Sequence, residues 1–267
     1  MIKKFTTAAA LAALMTAPFA SGVAAEEKTE FKVAWTIYVG WMPWGYLEDS
    51  GIMDKWAAKY GIDVEIVQFN DYIESINQYT AGAFDAVGAT NMDALSIPAG
   101  GGVDTTALIV GDYSDGNDAI IIKGEGDITS LKGQPVNLVE LSVSHYLLAR
   151  ALDSAGMSEK DLGGVINTSD ADMIAAFSTD EVQNVVTWNP MVEAILKDPK
   201  ANKIYDSADI PGEIVDIMWA NTDVLRDNPA FGKAMAGAWF EIVALMAAGD
   251  EAVLTAMGEA SGTDLAG

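Results

Sequence analysis

Apolar and polar positions follow two different spacings along the first half of the chain. Short runs of β-branched and aromatic residues predict buried strands, and longer stretches with one apolar face predict helices. Because strands and helices alternate, we expect this half to form an α/β unit around a largely parallel sheet. The predicted strands are residues 31–38, 64–69, 84–89 and 103–110, and the predicted helices are residues 46–60, 71–81 and 91–99.

The same alternation starts again near residue 117. It predicts a second α/β unit, and the last strand and helices are expected to return to the first unit. The predicted strands are residues 117–123, 135–139, 163–167, 182–188, 203–207 and 215–221. The predicted helices are residues 128–132, 142–155, 169–179, 190–198, 228–248 and 251–260.

This pattern predicts two lobes joined by two crossings of the chain. Residues 26–111 are expected to form the first part of lobe one, residues 112–212 to form lobe two, and residues 213–267 to return to lobe one. The crossings fall near residues 111–113 and 213–216. Two crossings of this kind form a hinge that lets the lobes close on a ligand between them.

Residues 1–25 have the pattern of a secretory signal peptide. Lys3 and Lys4 precede an apolar run at residues 8–20, and small residues at 23–25 suit cleavage after Ala25. The alternative, an amphipathic helix, is disfavoured because the run has no polar face. We therefore expect the mature protein to be exported to a bacterial periplasm.

Composition indicates a globular, strongly acidic protein. Half of the residues are hydrophobic, the formal net charge is −24, and there is no cysteine. Such a surface repels nucleic acid and anionic lipid, so neither is expected as a partner. The charge can serve solubility alone, or it can attract cations. Without disulfides, the exported protein depends on its core for stability.

The sequence offers no catalytic constellation and predicts no cofactor and no metal site. Its single histidine, His145, lies at a predicted helix start, where capping or packing explains it. Cysteine–histidine nucleophiles and ordinary zinc sites are excluded. No phosphate-binding glycine motif occurs. We therefore expect a binding protein and not an enzyme.

Candidate ligand-binding residues in lobe one follow the ends of predicted strands. Trp41 and Trp44 lie in a loop after the first strand, and Thr90 and Asn91 follow the third. Ligands of open α/β sheets bind at the carboxyl ends of strands. The alternatives are that a tryptophan covers the core, and that Thr90 or Asn91 caps a helix.

Lobe two offers equivalent positions. Ser142 and Ser144 lie at a predicted helix start, and Trp188 and Asn189 end a predicted strand. Glu140 precedes the two serines, and a carboxylate there favours a cationic or neutral ligand.

The crossings supply acidic candidates, among them Asp112 and Asp216. A flat guanidinium ion stacks on aromatic rings, donates two parallel hydrogen bonds to a carboxylate, and needs a counter-charge once it is desolvated. Urea would need the same flat slot with neutral partners. Acids at crossings are also expected by chance in a chain with 39 acidic residues.

Several segments together resemble the periplasmic solute-binding proteins of ABC importers, in the nitrate, sulfonate, taurine and thiamine-precursor group. The Trp-rich segment at 35–46 is similar to the branch linked to urea-carboxylase operons, whose cargo is urea or guanidine. The segments are WTIYVGWMPWGY (35–46), GAFD (82–85), ATN (89–91), LKGQPV (131–136), SVSHYLL (142–148) and VTWNP (186–190).

The resemblance implies a two-lobed periplasmic-binding-protein fold of type II with a cleft. It implies a small-molecule ligand, a permease partner in the inner membrane, and a monomer. Because family members continue with further helices, the chain is expected to be truncated at its C-terminus.

Other functions remain open within the same group. In anion-binding members the helix start that corresponds to Ser142 and Ser144 receives an oxyanion, so a nitrate or taurine binder is the main competing hypothesis. The absence of Lys and Arg from the candidate segments counts against it. The chain could also be an exported enzyme of the thiamine-precursor type or a periplasmic sensor subunit.

Overall fold

The computed structural model describes residues 28–262, so the predicted signal peptide lies outside the described residues. The described chain forms two five-stranded mixed sheets. The strands are β1 (Glu30–Thr36), β2 (Asp63–Phe69), β3 (Ala86–Thr90), β4 (Thr105–Tyr113), β5 (Asp118–Lys123), β6 (Pro135–Leu138), β7 (Gly164–Asn167), β8 (Asn184–Trp188), β9 (Ala201–Asp206) and β10 (Val215–Asn221).

Ten α-helices flank these sheets in the described part of the chain. They are α1 (Met42–Asp49), α2 (Ile52–Tyr60), α3 (Tyr72–Thr80), α4 (Asn91–Ser96), α5 (Val143–Ser154), α6 (Asp170–Phe177), α7 (Met191–Leu196), α8 (Thr222–Asp227), α9 (Pro229–Ala247) and α10 (Glu251–Ser261). Lobe one consists of the first sheet with α1–α4 and α8–α10, and lobe two of the second sheet with α5–α7. This is the α/β periplasmic-binding-protein fold.

The strand order is β2-β1-β3-β10-β4 in lobe one and β7-β6-β8-β5-β9 in lobe two. In each sheet one inner strand, β10 or β5, is antiparallel to both of its neighbours. The sheets are therefore mixed, but the other four strands of each sheet run in the same direction, as expected for a largely parallel sheet. The chain reaches β5 and β10 through the crossings from the other lobe. A crossing of this kind does not impose the parallel direction that a β–helix–β connection imposes.

The Trp-rich segment differs from its prediction. Residues 46–60 form two helices instead of one, because the chain turns at Gly51, whose φ of 71° is in the left-handed region. Val39–Trp41 is a 3₁₀ turn, and α1 begins at Met42 with Pro43 in its first turn. Trp44 consequently lies on a helix and not in a loop.

Helix α9 is the one helix of the described chain that is long and apolar enough to cross a membrane by length and composition. Its inner face, including Phe231, Met235 and Trp239, is buried in lobe one. This packing accounts for its apolar character, since the core helix of a globular protein has the same composition.

Candidate functional site

Both lobes direct the same kind of strand end toward the cleft. In lobe one the carboxyl ends of β1 and β3 share an edge, and antiparallel β10 starts at that edge. In lobe two the carboxyl ends of β6 and β8 share an edge with the start of β5. The residues at these ends line one cavity between the lobes: Tyr38, Trp41, Tyr72, Thr90, Asp118, Val143, Trp188 and Asp216.

The cavity is small. Its volume is about 10 Å³, which is about the room that one water molecule needs. The lobes are in contact around it, since the Val39 amide donates to the Asn189 carbonyl at 3.3 Å. The Trp188 indole also donates to the Ile37 carbonyl at 3.4 Å. In this closed arrangement the cavity therefore has room for about one water molecule, and a larger solute requires the lobes to move apart.

Four aromatic rings form a continuous series along the cavity wall. The ring centroids of Tyr38 and Trp41 are 5.2 Å apart, those of Trp41 and Tyr72 5.8 Å, and those of Tyr72 and Trp188 5.5 Å. These distances and tilted orientations are those of favourable aromatic pairs. The first three rings belong to lobe one and the fourth to lobe two, so the series bridges the cleft.

Two carboxyl groups meet on the lobe one side. Asp216 lines the cavity, and Asp112 lies directly opposite it in the β4–β10 register. Burial and then the charge of Asp112 raise the pKa of Asp216 well above its usual range. Burial also raises the pKa of Asp112. Two adjacent carboxyls cannot both ionise easily, so the pair tends to retain a proton.

Asp118 is the acidic residue that lobe two contributes to the cavity wall. The Ser114 hydroxyl donates to its carboxylate, and the Ser207 hydroxyl is 2.7 Å from that of Ser114. Burial raises the pKa of Asp118 to about 7. Ser114 directly follows the first crossing, so hydrogen bonds at that crossing hold this acid in place.

Asp93 is a buried acid behind the cavity wall. Its Oδ2 atom accepts hydrogen bonds from the Tyr72 hydroxyl at 2.7 Å, the Thr90 hydroxyl at 2.9 Å and the Val143 amide at 3.1 Å. Burial raises its pKa to about 6, partly offset by these bonds. Because Val143 begins α5, this carboxylate joins lobe one to lobe two.

Two polar atoms in the cavity wall have no partner within residues 28–262. They are the Tyr38 hydroxyl and Oδ2 of Asp216, and both are buried. A buried polar atom without a partner is costly, and a ligand that supplies hydrogen bonds relieves that cost. No Lys, Arg or His is among the lining residues. The wall is therefore acidic and aromatic.

Arg150, the arginine of α5, does not line the cavity. Arg150 forms a two-point ion pair with Glu213, at 2.8 and 3.0 Å, and Tyr146 donates to the same carboxylate at 2.7 Å. This pairing lowers the pKa of Glu213 to about 2. Among the described residues, no group of three or more His, Cys, Asp or Glu side chains is placed to hold a metal ion.

The predicted site residues of lobe one have different positions. Trp41, Thr90 and Asp216 line the cavity, and Asp112 is opposite Asp216 in the β4–β10 register but outside the lining. The other two also lie outside the lining. Trp44 is 2% exposed and stacks on Trp239 of α9 at 4.8 Å, in the core. The Asn91 side chain bonds to the backbone of Glu213 and Val215, and so holds the second crossing.

In lobe two, Trp188 lines the cavity, and the other three predicted residues lie outside the lining. Ser142 caps α5, accepting from the Ser144 amide at 3.1 Å. The buried Ser144 hydroxyl has no partner in the described chain. Asn189 bonds to the Asn117 side chain and to the Glu193 amide. As ligand contacts, all ten residues stay predictions.

Sequence reasoning missed Tyr38, Tyr72, Asp93 and Asp118. A signal for Asp118 was available, because it is an acid at the start of the otherwise apolar strand DAIII. Tyr72 follows the N-cap Asp71 of a helix entered from a strand, at the same sheet edge as Trp41. Asp93 gave no comparable signal, since an acid in the first turn of a helix is common.

Solved structures with the same fold bind different solutes. The alkanesulfonate-binding protein of Xanthomonas axonopodis pv. citri, solved with MOPS, superposes with a TM-score of 0.75 and is 19% identical over 91% of this chain and 82% of that chain. The periplasmic aliphatic sulphonate-binding protein of Escherichia coli has a TM-score of 0.73 and is 20% identical over 88% and 80% of the two chains.

The periplasmic nitrate-binding protein of Synechocystis PCC 6803 has a TM-score of 0.66 and is 16% identical over 87% of this chain and 65% of that chain. No curated protein sequence matches the chain. The family model described as NMT1/THI5 like matches residues 53–241. The urea-carboxylase-associated branch stays a prediction. Since the match covers more than half of the sequence, the chain belongs to the NMT1/THI5-like family.

Proposed function

We propose that this protein is the periplasmic substrate-binding component of an ABC importer, and that it captures a small nitrogen compound, guanidinium or its neutral counterpart urea, for an inner-membrane permease. The observation that carries the proposal is the composition of the closed cavity. Four aromatic rings and the carboxyls of Asp118 and Asp216 line it, and no basic residue does.

Charge favours a cation over an oxyanion. Asp93, Asp118 and Asp216 are buried in or behind the wall, and burial raises the pKa of each. A cation in the cavity would offset the cost of ionising these groups, whereas an anion would add to it.

Shape and hydrogen bonding favour guanidinium. Its flat face suits a wall of tyrosine and tryptophan rings, and a desolvated cation–π contact contributes about 0.5–2 kcal/mol. Its N–H groups match the unpartnered Oδ2 of Asp216. Urea shares the flat shape and the N–H donors but leaves the carboxylates without a counter-charge, so we expect it to bind more weakly.

The site also supports capture by lobe closure. Trp41 and Asp216 belong to lobe one, and Trp188 and Asp118 to lobe two. A ligand that contacts both walls binds the closed state more tightly than the open state, and therefore shifts the equilibrium toward closure.

Isothermal titration calorimetry of the mature chain tests the ligand class. Guanidinium, urea, methylammonium, nitrate and taurine form the panel, at millimolar or lower concentrations where guanidinium does not denature proteins. We expect guanidinium to bind most tightly, with a Kd of about 1 μM, and nitrate and taurine not to bind. Binding of nitrate or taurine without guanidinium binding would overturn the cationic assignment.

Asp216→Asn provides the matched test of the site. It should weaken guanidinium binding, because the amide lacks the negative charge. Asp85→Asn is the control, since Asp85 is also buried in lobe one but pairs with Lys28 outside the cavity. Equal losses in both variants would remove Asp216 from the site.

A further inference from the structure

The carboxylate of Asp93 lies at the start of a helix from the opposite lobe. Helix α5 has 12 residues, and its first amide, that of Val143, donates to Oδ2 of Asp93. The first amides of a helix have no partner within the helix, and the helix dipole adds positive potential there. The start of α5 is therefore a favourable position for an anion, and a side chain of the protein itself fills it.

Two hydroxyls complete this position. The Tyr72 and Thr90 hydroxyls both donate to the same oxygen of Asp93 as the Val143 amide does. Three donors that converge on one oxygen form a pre-organised oxyanion site. The buried Ser144 hydroxyl, also in the first turn of α5, has no partner within residues 28–262.

We infer that Asp93 is a specificity-determining residue: its carboxylate serves as an internal anion that occupies the oxyanion position of the cleft and excludes small oxyanions such as formate and nitrate. A soluble oxyanion would have to displace a covalently tethered carboxylate that is already hydrogen-bonded. Because this carboxylate is part of the chain, it loses no translational or rotational freedom on occupying the position, whereas a free anion does. The same contact joins the lobes, so closure needs no anionic ligand.

The inference deepens the proposed function, because it explains the exclusion of anions from the same cleft. It makes a separate prediction, however: deleting the carboxylate should create an anion site. Asp93→Ala removes the internal anion and leaves the Tyr72, Thr90 and Val143 donors in place. Formate is the best probe, since it replaces the deleted carboxylate with a free one.

The experiment measures formate and nitrate binding by calorimetry and by thermal shift. We expect no saturable binding to the unaltered protein, and in Asp93→Ala a formate affinity at least about tenfold higher, as charge-assisted hydrogen bonds would give. Asp93→Asn shows whether formate is excluded because a side chain fills the position or because that side chain is charged. Its amide still fills the position, so it should gain no formate binding, whereas simple charge removal predicts a gain.

Asp250→Ala is the matched control. Asp250 caps α10 by accepting from the Ala252 and Val253 amides, but it is only partly buried and does not line the cavity. Its deletion also frees a helix start, without the converging hydroxyls, and should create no formate site. A formate gain equal to that of Asp93→Ala would assign the effect to any bare helix start and would overturn the inference.

Asp93→Ser is the second variant, in case the alanine variant does not fold. A folded Ala or Ser variant with unchanged formate and nitrate affinity would overturn the inference. If neither folds in chloride buffer, folding in formate supports it and failure in both salts overturns it. Guanidinium titration of the unaltered protein tests the proposed function separately: its failure beside a formate gain in Asp93→Ala would reject the guanidinium assignment alone.

Discussion

The two lobes contribute unequally to the cavity. Lobe one supplies three of the four aromatic rings together with Thr90 and Asp216, whereas lobe two supplies Trp188, Asp118 and the first residue of α5. If the proposed function holds, lobe one forms most of the site while the lobes are open, and lobe two completes the site on closure. Changes in lobe one should alter the initial binding, and changes in lobe two should alter how long the ligand stays.

The largest effect is expected from Trp41→Ala in lobe one. Trp41 contacts both Tyr38 and Tyr72, so its removal should interrupt the ring series and abolish guanidinium binding. Loss of this buried ring should also lower the free energy of unfolding by about 3–5 kcal/mol. Titration calorimetry and scanning calorimetry measure the two effects.

Trp44→Ala is the control for that prediction. Trp44 is as deeply buried but stacks on Trp239, away from the cavity. It should lose similar stability and keep guanidinium affinity. Loss of binding in both variants would indicate a general effect of unfolding and not a specific ring contact.

Asp216→Asn should separate binding from stability. We expect guanidinium affinity to fall by about ten- to hundredfold, since hydrogen bonds to a charged group contribute about 1.5–3 kcal/mol. The free energy of unfolding should instead rise at neutral pH, because burial and the neighbouring Asp112 make the ionised form of Asp216 costly. A variant that is less stable and binds normally would contradict both halves of this prediction.

Trp188→Ala tests the role assigned to lobe two. We expect affinity to fall by about threefold to thirtyfold, the equivalent of one cation–π contact. The loss should lie in faster dissociation, because Trp188 meets the ligand only on closure. Stopped-flow measurement of both rates provides the test, and slower association with unchanged dissociation would contradict the unequal roles of the lobes.

The last prediction concerns the pH dependence of guanidinium binding, which is smallest over a single pH unit. Burial raises the pKa of Asp93 to about 6 and of Asp118 to about 7. Guanidinium favours the ionised carboxylates, so its affinity should rise with pH, by at most about tenfold per unit below pH 7 for each carboxyl that loses its proton. Calorimetry between pH 5 and 8 in buffers of different ionisation enthalpy measures the affinity and the released protons.

The stability of the unliganded protein should change in the opposite direction. Between the unfolded carboxyl pKa, about 4, and the raised folded values, the folded state holds more protons than the unfolded chain, so the free energy of unfolding falls as pH rises. Scanning calorimetry should therefore record a higher Tm at pH 5 than at pH 7. A lower Tm at pH 5 would mean that these buried carboxyls do not control the acid response.

The α/β class and the order of most elements followed from local pattern. Strands such as β5 and β8 are continuous apolar runs, and their periodicity is a property of neighbouring residues. The positions of Trp41, Thr90 and Trp188 at strand ends were also predictable, because strand ends carry ligands in this class of fold. Trp44 was not: it is three residues from Trp41, and the start of a helix at Met42 turns it into the core.

The sequence by itself determined a strand-and-helix order, an acidic chain, and aromatic residues at the strand ends. Only the tertiary structure decided which of its 39 acidic residues meet at the cleft. Asp93 and Val143 are 50 positions apart, and Asp216 meets Asp112 only because β10 returns between β3 and β4. The physical reason is that local periodicity reports the solvent exposure of one element, whereas burial of a charge depends on how distant elements pack around it.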